Sequence, residues 1–131
     1  MQPDSLTPIP PDEVLYRQVH PNFLDGNHAQ SPAFNPTPKD EGELSIDLSS
    51  LISAKDAYLL FTGKGYSSVG VWPIVMSKCS GANTSAYHKP SPGHKSHGFV
   101  DFRGKDRKEC KRIAQILKHY ANSVGPVHRP S

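Results

Sequence analysis

Proline decides where this chain can be regular. Each proline fixes φ and removes a backbone donor, so it ends helices and is kept out of central strands. The thirteen prolines of this 131-residue chain fall near both ends, over 21–38, at 73 and around 90. Regular structure is confined to the windows between them.

The first window, Val14–His20, has β-favouring composition and is stopped by Pro21. Leu15, Arg17 and Val19 share one face of that strand. A guanidinium among apolar neighbours requires a carboxylate or an anionic ligand. Residues 21–43 form a long connection, with a turn at Asp25-Gly26-Asn27 and Phe34 as its anchor in the core. Leu44 to Leu48 alternates, with Leu44, Ile46 and Leu48 inward and Ser45 and Asp47 outward.

Ser53 reads as an N-cap, with Asp56 three residues on, for a helix to about Thr62. Val69 to Met76 is the most apolar strand, and Pro73 gives it an edge position or a bulge. Residues 77–96 read as a surface loop. His97 to Phe102 is the last strand. Asp106 and Glu109 open a helix to about Ser123, with an apolar stripe of Cys110, Ile113, Ala114, Leu117, Tyr120, Ala121 and Val124. The expected fold is α+β: a small mixed or antiparallel sheet of about four strands with two helices packed on one face. Residues 13–124 make the domain. A flexible proline-rich arm covers 1–12 and a flexible tail 125–131.

The net charge of +3 hides an asymmetry. Residues 1–60 carry three basic and nine acidic side chains, and the remainder carries twelve and three. Such a chain attracts itself in the fold or presents a basic face to an anionic partner. Two cysteines allow no disulfide framework and no metal-type pair. Met-Gln-Pro-Asp is not the start of a signal peptide, and no apolar run reaches membrane-spanning length. A soluble protein of the reducing cytoplasm is expected, with no membrane partner.

The twelve residues Phe34 to Ser45 hold an ammonium, three carboxylates and two hydroxyls in a proline-stiffened loop. Arg17, Lys39, Ser45 and Thr37 are the expected binding residues: the guanidinium forks onto phosphate, and the ammonium acts as a point charge. His20 and His97 are candidate acid and base, and Asp40 a base or an orienting group for either histidine. Arginine with a hydroxyl would equally hold a dinucleotide. Each residue also has a structural reading, as strand end, surface histidine or charged turn. Cys79, His88, His94 and His97 lie close in sequence, but no carboxylate or second cysteine completes a metal set, so no metal or other cofactor is expected. Lys105, Arg107, Lys108, Lys111, Arg112 and Lys118 line the last helix, as a solvated face or as phosphate contacts. No P-loop, dinucleotide fingerprint or nucleophile elbow is present.

Arg17-Gln-Val-His20-Pro21, Phe34-x-Pro36-Thr37-Pro38-Lys39-Asp40, Leu44-Ser45 and His97-x-x-x-Asp101-Phe102 resemble a group of small uncharacterised bacterial proteins over roughly residues 14–120. The resemblance implies a bacterial or phage-type soluble protein and no particular catalysis. The segment 87–97, rich in histidine and proline, departs from that group. Arg17 early on a strand, and Ser45 after a loop, are also similar to RES-type ADP-ribosyltransferase-like toxins. That family's glycine-rich turn and catalytic glutamate have no counterpart here.

The functional expectation is an anion-binding cleft for a nucleotide or nucleic-acid phosphate, serving a hydrolase or a transferase. The competing expectation is a non-catalytic protein-interaction module of a larger bacterial system, with a protein partner on its charged faces.

Overall fold

The computed structural model describes residues 7–37 and 40–130. In chain order the strands are β1 Thr7–Pro8, β2 Val14–Gln18, β3 Leu24–Asp25, β4 His28–Ala29, β5 Glu43–Leu48, β6 Val71–Val75, β7 Ala86–His88 and β8 His97–Asp101. The helices are α1 Ala54–Gly63, α2 Met76–Gly81 and α3 Arg107–Val124, and Pro21–Phe23 and Ser31–Phe34 are 3-10 turns. The α+β class holds. Among the described residues the main sheet has six strands in the order β1-β7-β8-β5-β2-β6, every pair antiparallel, so the expectation of about four is corrected. The added strands, β1 and β7, have two and three residues, too few to show alternation. β1 comes from the segment read as an arm, where Ile9 is buried. β3 and β4 form a separate hairpin about the expected turn, with Gly26 at φ 62°.

The two long helices carry the predicted caps. Ser53 accepts from the Asp56 amide at 3.1 Å, and Asp106 from the Glu109 amide at 2.8 Å. Pro73 lies on β6, an edge strand of the sheet, where a missing donor disturbs no central ladder.

The helices divide between the faces, which corrects the one-face arrangement. Leu15, Leu44, Ile46, Leu48, Trp72, Ile74 and Val100 form one apolar cluster with Ile113, Ala114, Leu117 and Ala121 of α3. Phe34 is fully buried in it, as its anchoring role required. Antiparallel partners share a face, so the pairs Tyr16–Asp47, Asp47–His97 and Ser45–Phe99 put all five residues on the opposite side. There α1 brings Ala57, Leu60 and Phe61 to a cavity that Ser45, Asp47 and His97 also line. Both faces of the sheet are therefore covered, and a polar pocket lies on the second.

Candidate functional site

The pocket begins where two strands part. The ladder between β2 and β5 holds only the pairs Leu15–Leu48 and Tyr16–Asp47. One residue further along β2, Arg17 reaches across the split. Its Nε donates to the Ala33 carbonyl at 2.7 Å and its Nη1 to the Ser45 carbonyl at 2.9 Å. The sequence called for a carboxylate or an anion beside Arg17, but neutral carbonyls hold it. Burial pulls the guanidinium down to about 10, with the negative charge of Asp40 opposing the fall, so Arg17 remains a cation at neutral pH.

Arg17, Asp40, Ser45, Asp47, Lys64, Tyr66, His94 and His97 line one cavity of about 400 Å³, with the α1 residues as its apolar wall. Arg17, Asp40, Ser45 and His97 are thus brought together as the sequence suggested. Among the described residues neither Arg17 nor Lys64 lies in an ion pair with a carboxylate. Lys39 lies outside the described residues.

His97 starts β8 and has a defined tautomer. Its Nδ1 stands 3.0 Å from the Lys89 carbonyl, and a carbonyl only accepts, so that nitrogen carries the proton. The lone pair on Nε2 then faces Ser45 Oγ at 3.4 Å. Lys89 is fixed in turn by its own amide, which donates to the His97 carbonyl at 2.9 Å.

His94 supplies the second imidazole, in a place where the sequence offered only a metal reading. Its Nε2 lies 2.5 Å from Asp47 Oδ1, which also accepts from Ser96 Oγ at 2.7 Å. Asp47 is 7 % exposed, so it needs both donors. The other nitrogen, Nδ1, lies 3.5 Å from Lys64 Nζ, and the His94 and His97 ring centres are 5.1 Å apart. Strand alternation marked Asp47 as outward. No sequence signal showed that the outward face is itself covered.

The remaining expected residues fall around the cavity. His20 Nδ1 accepts from the Asn22 amide at 3.0 Å and caps the first 3-10 turn. It lines a smaller cavity of about 140 Å³ that shares Arg17, Phe61 and Tyr66 with the first, so Arg17 stands between the two expected histidines. Asp40 Oδ2 accepts from the Thr37 amide and hydroxyl at 2.7 and 2.8 Å. Thr37 itself lines another cavity, of about 490 Å³, with Arg103, Lys105 and Arg107. Arg112 of the basic helix is occupied by Glu109 and the Ala82 carbonyl.

Cys79 is buried in α2, and His88 Nε2 lies against the Lys95 carbonyl. Among the described residues no group of three or more His, Cys, Asp or Glu is placed to hold a metal ion. No helix among them is long and apolar enough to cross a membrane.

No family model, curated protein or solved structure matches the chain.

Proposed function

We propose that the cavity between α1 and the sheet binds the phosphate of a nucleotide or a nucleic acid, and that His97 transfers protons in a hydrolytic or transfer reaction there, with His94 held beside it. The observation that carries this reading is the state of Arg17. Its bonds go to uncharged acceptors and it lies in no ion pair among the described residues, so with Lys64 it offers positive charge to an anion, against the carboxylates of Asp40 and Asp47 on the same lining. Asp47 is turned towards His94 and Ser96, which both bond its Oδ1.

The two histidines are held differently. His97 presents a lone pair at Nε2, as a base does. Asp47 accepts from His94 Nε2 and holds that ring with its Nδ1 towards Lys64. Phe61 and Tyr66 stack with centroids 5.1 Å apart on the cavity wall, and Tyr66 is exposed, so a base attached to the phosphate has an aromatic surface to lie on. Arg17, Ser45 and His97, which help to carry the resemblance to small bacterial proteins, are all in this cavity. Two free thiols fit a cytoplasmic setting.

Thermal denaturation with ADP, NAD and a short oligoribonucleotide tests the proposal. A ligand at a hundred times its Kd adds about 2.7 kcal/mol to the folded state. The expected result is a higher melting temperature with at least one of the three, and a reduced shift in Lys64→Ala. No shift with any of them overturns the reading and favours an interaction module. A shift that persists unchanged in both Lys64→Ala and Arg17→Lys moves the ligand away from this cavity.

A further inference from the structure

We infer that Ser45 is the nucleophile of this cavity, a role that rests on the phosphate reading above. The sheet itself builds the pair. Asp47 lies opposite His97 and Ser45 opposite Phe99, so Ser45 and His97 are diagonal neighbours on one face. Diagonal positions in an antiparallel pair come within reach of a long side chain. The imidazole spans that gap and brings Nε2 to 3.4 Å from Ser45 Oγ.

Both partners are held. The Lys89 carbonyl fixes the His97 tautomer, and Lys89 is tied to β8 by its own amide. The Ser45 backbone is locked on one side by the β8 ladder and on the other by Arg17 Nη1 at its carbonyl. The hydroxyl is exposed to the cavity, with Arg17 and Lys64 on the same lining to receive negative charge on a phosphoryl group. A serine with a base at its hydroxyl and a third group orienting that base has the parts of an activated nucleophile. A surface hydrogen bond that only braces the sheet would need neither the fixed tautomer nor the two cations.

The chemistry closes on the groups present. Ser45 Oγ attacks phosphorus, His97 Nε2 takes the hydroxyl proton, and the P–O bond to the leaving group breaks. The leaving oxygen takes that proton from His97 Nε2. In the second half, His97 Nε2 takes a proton from an attacking water, the serine P–O bond breaks, and Oγ takes that proton. His97 ends as it began.

A fluorophosphonate tests this without knowledge of the substrate. Oγ displaces fluoride, the new P–O bond persists, and the proton passes to His97. Peptide mass spectrometry then gives the labelling rate of each serine in the folded protein, with exposed Ser50 and Ser67 as internal references. Ser45 is expected to label about a hundredfold faster than either, the low end of what a positioned base supplies. His97→Gln is expected to bring it down to the reference rate, and inorganic phosphate to slow it in the wild type. Labelling of Ser45 no faster than Ser50, or undiminished in His97→Gln, overturns the inference. The ligand melts report separately: a nucleotide shift without Ser45 labelling leaves the phosphate site standing and removes only the nucleophile.

Discussion

Arg17 Nη1 donates to the Ser45 carbonyl at 2.9 Å across the point where β2 and β5 separate. The same guanidinium holds the Ala33 carbonyl, so one side chain joins β2, β5 and the turn that anchors Phe34. A cation in this position is both a brace and a source of field in the cavity.

Replacing Arg17 with Met removes two hydrogen bonds and leaves two carbonyls short of a donor, each costing about 1–3 kcal/mol if buried. Removing the desolvated charge offsets part of that loss. A net destabilisation of about 1–3 kcal/mol is expected in urea unfolding. Arg17→Lys keeps the charge without the fork, and is expected to fall between Met and the wild type.

Gly98 sets how closely β7 approaches. A Cβ there would stand 2.5 Å from the Tyr87 carbonyl oxygen and 3.1 Å from Leu48 Cδ1. Backbone has to move, so Gly98→Ala is expected to cost about 1–3 kcal/mol, as overpacking does. Because Gly98 follows His97, the variant is also expected to lower Ser45 labelling. Urea unfolding and the labelling rate measured together check both parts.

The two thiols differ in access. Burial pushes Cys79 up to about 12. Burial, together with the charge of Asp106, also raises the partly exposed Cys110. Both are poor thiolates at neutral pH. With a thiol-specific disulfide reagent, one slow reaction at Cys110 is expected in the native protein, and a second only on unfolding. Native Cys110→Ser is expected to show none.

Acid stability has a named contributor. Burial raises Asp101, but the hydrogen bonds and charge of Arg103 outweigh it and leave the carboxyl below the usual carboxylate value. A folded value below the unfolded one of about 3.9 means that the ionised form favours the fold. That stabilisation is present above about pH 4 and is lost as the pH falls through the folded value. Asp101→Asn is expected to narrow the gap in melting temperature between pH 6 and pH 3. A gap equal to that of the wild type would remove Asp101 from the account.

The long helices were legible because caps and periodicity agreed at Ser53, Asp106 and along Cys110 to Val124. Pro73 was legible as an edge residue because a proline has few places in a sheet. β1, β7 and α2 were not, since two to six residues carry no period. The site was half legible. A lone cation on an apolar strand singled out Arg17, and local polarity singled out Ser45 and His97. His94 and Lys64 reach the cavity only through the turn before β8 and the end of α1. Their convergence depends on how the covered second face is built, which neighbouring residues in the chain do not record.

The sheet is also closed against its own kind. At the β6 edge the Val71 amide donates to the His128 carbonyl, and the Val127 amide to the Val71 carbonyl, both at 2.9 Å. Pro73 offers no donor, and at the opposite edge β1 is two residues ending in Pro8. Free strand edges invite stacking into larger aggregates. In this protein the segment at Val127 and His128 acts as a terminator at the start of β6: it occupies the Val71 amide and carbonyl, through which one molecule would begin to template the next. Variants that lose it would be expected to cloud on standing while their cores remain intact.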